Sequence, residues 1–200
     1  MSRPVVNPGK IDWTGENPSI QLKLSDDGPY SCMASLFRVV HSPFGYGHVA
    51  FILPAPTQEG APNVCYTDNR PLAKWLTSEF ITHFGPFKGL PALRGLSFVD
   101  GASFVFNAKS PDAWEERITS ENRVILLRWL QLGEPFLVEL PRDQSPTGKH
   151  EMFSLFVPVE RGEVLINNEL MPGKPVMRQI GNKGFRSAFL AFSETWVRHD

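Results

Sequence analysis

Apolar and polar side chains alternate along most of this chain with the period of a β-strand. Ser19-Ile-Gln-Leu-Lys-Leu sets Ile20 and Leu22 on one side and Ser19, Gln21 and Lys23 on the other, a half-buried pattern that Asp26-Asp-Gly-Pro ends with turn-forming residues. Residues 33–40 and 48–53 are rich in aromatic and β-branched side chains. Ser42-Pro-Phe-Gly-Tyr-Gly joins them, so a hairpin is expected. Further strands are expected at 93–99, 102–108, 123–130, 136–140, 151–159, 163–167 and 185–197, with Asp100-Gly101 as a hairpin turn and Asn167-Asn168 as another reversal.

One segment has helical spacing instead. Leu72, Trp75, Leu76, Phe80 and Phe84 share a face over residues 70–84; Asp68 or Asn69 can cap its first turn, Pro71 suits its start and Gly85-Pro86 stops it. Ser110-Pro-Asp-Ala-Trp-Glu-Glu-Arg carries the same start chemistry and predicts a second, short helix. Residues 1–18, with prolines at 4, 8 and 18, read as an extended N-terminal arm preceding a single domain at 19–200, and proline-rich 54–63 as a surface loop.

This pattern predicts a mainly β protein: an antiparallel β-barrel of about eight to ten strands with one amphipathic helix, a β-sandwich being the alternative. Strict alternation in 185–197 puts Phe189, Ala191 and Ser193 on one face and Leu190, Phe192, Glu194 and Trp196 on the other, so one face can meet a core while the other lines a cavity. The layout resembles a calycin-like (lipocalin-like) barrel in architecture only. The Gly-x-Trp start of lipocalins is not met, since Trp13 has Gly9 four residues before it and Gly15 two after. No family follows, and architecture does not assign function.

Composition narrows the functional classes. With 20 basic and 21 acidic side chains, a net charge of −1 and no basic cluster, a nucleic-acid partner is not expected. No run of about eighteen apolar residues suits a membrane span, and Pro4, Asn7 and Pro8 interrupt any secretory apolar core, which points to a cytoplasmic protein with no membrane partner. Cys32 and Cys65 lack CxxC spacing and are expected as buried free thiols.

The candidate chemistry lies in charges set within apolar strands. Arg38, Arg128, Glu139 and Glu194 must each reach water, meet an opposite charge or face a ligand. In a cavity, Arg38 and Arg128 can hold an anionic oxygen, with His41, Tyr46 and Trp129 as further ligand contacts, while Glu139, Glu194 and His48 can move protons. The plainer alternative makes the charges solvent-facing, or an Arg–Glu pair closing one end of the barrel. His41 and His48 flank the hairpin loop, but no third ligand stands at metal-binding spacing, so neither a metal nor any other cofactor is expected. No Gly-x-Ser-x-Gly or phosphate-loop motif occurs. Three functions remain: binding of a small, largely apolar molecule with one polar or anionic group; a cofactor-free isomerase, cyclase or lyase using Glu or His in the same cavity; and an interaction module or homodimer without a ligand.

Overall fold

The computed structural model describes residues 10–110, 112–180 and 183–198. In chain order its strands are β1 (Lys10–Glu16), β2 (Ser19–Lys23), β3 (Tyr30–His41), β4 (Gly47–Leu53) and β5 (Val64–Thr67), then, after helix α1 (Arg70–Glu79), β6 (Ser97–Asp100), β7 (Ser103–Ser110), β8 (Ala113–Ser120), β9 (Arg123–Leu132) and β10 (Phe136–Leu140). The chain continues through β11 (His150–Ile166), β12 (Glu169–Leu170), β13 (Lys174–Pro175), β14 (Met177–Ile180), β15 (Lys183–Arg186) and β16 (Ala188–Arg198). The protein is mainly β. Among the described residues fourteen strands join one largely antiparallel sheet, its main path running β6-β5-β4-β3-β1-β16-β11-β9-β8-β7, and β14 with β15 forms a separate hairpin.

The pairing graph contains a ring of four strands, β3, β1, β16 and β2. Its origin is local. β1 and β2 are two halves of one strand, both lying between β3 and β16: Gly15 stands opposite Val39 and Glu194, and Ser19 opposite Ser35 and Phe189. The interruption falls at Asn17-Pro18, where proline has no N–H to give a ladder. Residues 10–18, expected as part of an arm, therefore run through the middle of the sheet, and residues 1–9 lie outside the described residues.

The sheet curls into two layers with a core on each side of the first. Ile20, Leu22, Leu36, Ile52, Ile118, Leu127 and Trp129 fill the space between the layers. Trp13, Phe37, Phe51, Leu72, Leu76, Phe80 and Trp196 form the second core, under α1. β11 joins both layers: its first part pairs with β16 and β10, its second with β9. Gly162 lies where it passes closest to the first layer, since a Cβ there would stand 2.7 Å from that of Ala188.

The helix is the crossover between β5 and β6, which run parallel, and this connection lays its apolar stripe on the sheet. Asn69 caps it, accepting from the Leu72 N–H at 3.1 Å. It stops at Glu79 rather than 84 because Phe80 leaves the helical region, and Ile81–His83 continues as a 3₁₀ turn. Of the second expected helix, Ser110 ends β7, residue 111 lies outside the described residues and 113–117 belong to strand β8, where pairing along β9 from Ala113↔Leu130 to Ser120↔Arg123 outweighs the local start signal. Asp100-Gly101 does turn the chain, with Gly101 at φ +68, but β6 pairs with β5 and β7 with β8, so no hairpin forms there. The β3–β4 hairpin and the Asn167-Asn168 turn occur as the sequence implies. Cys32 and Cys65 are free and buried, and burial pushes the Cys32 thiol up to about 12.

Candidate functional site

A β-bulge creates the site. On β16, Phe192 pairs with Leu155 and Thr195 with Phe153, so Ser193 and Glu194 together oppose Ser154. Ser193 takes the left-handed conformation, φ +51, and absorbs the extra residue. Beyond it the alternation is reversed: Glu194 and Trp196 join Phe189 and Ala191 on the face toward α1, not Leu190 and Phe192 as strict alternation required. No residue in Phe-Ser-Glu-Thr-Trp announces this change of face, because serine carries no marked preference for positive φ.

Glu194 is 3% exposed. Among the described residues its hydrogen-bond partner is the Trp196 indole, whose Nε1–H donates to Oε1 at 2.8 Å, and no cation stands within ion-pairing distance. Burial without a countercharge pushes its carboxyl up to about 8, against a small opposing effect of the indole N–H. At neutral pH it is therefore mostly a neutral acid.

The carboxyl lines a pocket of about 120 Å³ between the sheet, the Phe84–Phe87 loop and the β14–β15 hairpin. Its floor is polar: Ser19 and Gln21 from β2, Ser35 from β3 and Asn17 from the break between β1 and β2. Alternation in Ser19-Ile-Gln-Leu-Lys made Ser19 and Gln21 the outward face, yet both are buried because the loop and the hairpin cover that side. Their hydrogen bonds run in one direction. Arg178 donates to Gln21 Oε1 at 2.8 Å, Gln21 Nε2 to Ser19 Oγ at 3.0 Å, and Ser19 Oγ to the Ala34 carbonyl at 3.1 Å. The walls are aromatic, with Phe156 stacked on Phe189 at 4.6 Å and Phe84 on Trp196 at 5.4 Å.

Arg178, on β14, is the cation of this pocket. Among the described residues it has no carboxylate partner; it bonds to the Gln21 amide and packs on the Phe185 ring at 5.9 Å. Desolvation lowers its pKa. Sequence reasoning missed it, because Pro-Gly-Lys-Pro-Val-Met-Arg-Gln has neither strand alternation nor an apolar run around the arginine.

The other expected site residues lie elsewhere. Arg38 bonds to Glu16 and, at 2.8 Å, to Glu116, tying β3 to β8, and stacks on Phe106. This is the structural Arg–Glu alternative. Arg128 pairs with Glu115 at 2.8 Å and with Glu163 across β8, β9 and β11. Glu139 is exposed on β10, and His41 and Tyr46 are exposed near the hairpin loop. His48 pairs in register with Arg38 rather than facing His41; it holds Asp68 at 2.7 Å and stacks on Phe104. Trp129 is fully buried between the layers and donates to the Ser19 carbonyl at 3.1 Å.

A second polar group stands behind Trp196. His150 is buried, with Nε2 2.7 Å from Asp12 and Nδ1 2.8 Å from the Thr147 hydroxyl, and Arg198 also bonds to Asp12. Burial lowers the His150 pKa, outweighing Asp12; burial also raises Asp12, but its bonds to His150 and Arg198 leave it lowered overall. A neutral imidazole between a carboxylate and a hydroxyl donates from Nε2 and accepts at Nδ1. The group fastens the 141–149 loop, whose Pro146 borders the pocket.

Among the described residues, no three His, Cys, Asp or Glu side chains are grouped to hold a metal, and no helix is long and apolar enough to cross a membrane. Comparison with protein-family models, curated proteins and solved structures finds no match to this chain.

Proposed function

We propose that this protein binds a small, largely apolar molecule bearing one carboxylate, in the pocket between the sheet and the β14–β15 hairpin. The observation that carries this reading is Arg178: a partly buried guanidinium, among aromatic rings, bonded to an amide where a carboxylate would be the ordinary partner. A ligand carboxylate completes that pairing, and charge-assisted bonds to guanidinium are the stronger class. The stacked Phe156–Phe189 pair and Trp196 suit a flat apolar body, and the pocket volume favours one ring over a fused system. The curled sheet serves as a barrel-like scaffold, with the ligand outside its filled interior, on the helix side.

Native mass spectrometry and thermal shifts with benzoate, phenylacetate and toluene test the reading. The two acids are expected to bind one per chain and raise the melting temperature, and toluene to do so much less. Equal shifts from all three, or none, would overturn it.

A second reading, self-association, rests on Leu137, Phe153 and Leu155, which are 52%, 41% and 37% exposed on the paired strands β10 and β11. Light scattering at increasing concentration tests it: a dimer that Leu155→Lys disperses supports it, and a monomer throughout removes it.

A further inference from the structure

We infer that the pocket is catalytic as well as binding, with Glu194 moving a proton to and from the carbon beside the carbonyl of a 2-oxo carboxylate held by Arg178. The inference rests on the binding reading above and adds a reaction to it.

Three features of the geometry support it. Glu194 and Arg178 line the same small pocket, yet neither is the other's ion-pair partner, so each is left to a third party. The bulge at Ser193 holds a non-glycine residue at positive φ to turn this one carboxyl away from the face alternation assigns it, and such local cost collects at working sites. The surroundings are also chosen. Asn17, Ser19, Gln21 and Ser35 are neutral, Met152 and Phe156 on β11 are apolar, and Arg178 is the charged group across the pocket. His150 stands on the far side of Trp196, with its ring centre 5.9 Å from the indole. A carboxyl so placed has its proton affinity near the ambient pH, where a group that must both take and return a proton works best.

The step needs no cofactor. The ionised Glu194 takes the C3 proton of the bound 2-oxo acid. The C–H electron pair becomes the C2–C3 double bond, and the carbonyl π pair moves to oxygen, giving an enolate. The protonated Glu194 then returns a proton to C3, or the enolate oxygen takes one from water to leave the enol, and the hydroxide so formed takes the proton from Glu194 and restores the carboxylate. Charge and atoms balance at each stage, and the requirement on the substrate is an acidic C–H next to a carbonyl.

The test uses phenylpyruvate as substrate and phenylacetate as an analogue lacking the carbonyl, with exchange of the C3 hydrogens followed by proton NMR in deuterium oxide. The wild type is expected to exchange C3 faster than buffer, with a rate rising with pH and levelling off above about 8 as Glu194 ionises. Glu194→Gln keeps the shape and the Trp196 hydrogen bond, and is expected to lose about a hundredfold or more in exchange while binding phenylacetate within about threefold of wild type. The wild-type pH profile is an independent readout should the variant fold poorly. Binding of phenylpyruvate with exchange at the buffer rate, an exchange rate that does not follow this pH profile, or equal exchange in Glu194→Gln would overturn the inference and leave the binding reading standing. Failure of both compounds to bind would remove both.

Discussion

Two arginines set among aromatic rings divide the molecule's chemistry between them. Arg38 meets Glu16 and Glu116, and its Cζ lies 4.6 Å from the centre of the Phe106 ring, so its charge is answered on two sides and it fixes one layer of the sheet against the other. Arg178 meets an amide, and the acid that shares its pocket, Glu194, is kept neutral by burial instead of being paired with it. Glu116 is also pushed up by burial, but Arg38 opposes the shift. Charges set in contact spend their attraction on the fold. Arg178 and the neutral Glu194 are not set against each other, and it is on this contrast with Arg38 that the proposed site rests.

The sharpest way to break the comparison is to remove the paired cation. Arg38→Met leaves Glu116, which is 1% exposed, without its partner, and is expected to destabilise the fold by about 3–5 kcal/mol in denaturant titrations at pH 7. Adding Glu116→Gln is expected to recover a large part of that loss. A cost below about 1 kcal/mol would mean that the layers do not depend on the pair.

Glu194→Gln is expected to act in the opposite direction. The native carboxyl holds its proton up to about pH 8, whereas its ordinary value is 4.5. Below pH 4.5 both native and unfolded states are protonated and this group costs nothing; between 4.5 and 8 the unfolded chain ionises first, so stability is lost as pH rises. The difference in unfolding free energy between variant and wild type is therefore expected to grow by a few kcal/mol from pH 5 to pH 9, in the variant's favour. A difference that stays constant with pH would place Glu194 in a solvated position.

The smallest effect is expected at Arg128, whose partly exposed guanidinium on β9 pairs with Glu115 on β8 and Glu163 on β11. Arg128→Ala removes a cation from Glu115, which is itself buried, and should cost about 1–3 kcal/mol, less than Arg38→Met because the guanidinium is partly exposed.

The same contrast explains what the chain discloses of itself. The mainly β class, the β3–β4 hairpin and the helix stripe of Leu72 and Leu76 are legible because periodicity repeats over many residues. Glu194 stands out as a charge in an apolar strand, but so do Arg38, Arg128 and Glu139, and local sequence does not separate the four. Their fates depend on partners distant in the chain, such as Glu116 for Arg38, and on a one-residue bulge at Ser193 that inverts a face. Gln21 and Ser19 carried a faint signal: uncharged polar residues on a supposedly wet face, where Lys or Glu is the commoner choice. Arg178 carried none, since its surroundings come from a hairpin folded over strands more than a hundred residues away in the chain.

The central claim is that the guanidinium of Arg178, which has no carboxylate partner among the described residues, makes this pocket a carboxylate site, and calorimetric titration of phenylacetate at pH 7 tests it most directly. Wild-type protein is expected to bind one molecule per chain, and Arg178→Met to bind at least about tenfold more weakly, the loss of one charge-assisted hydrogen bond. Equal affinity in the two proteins, or no saturable heat in the wild type, would contradict it.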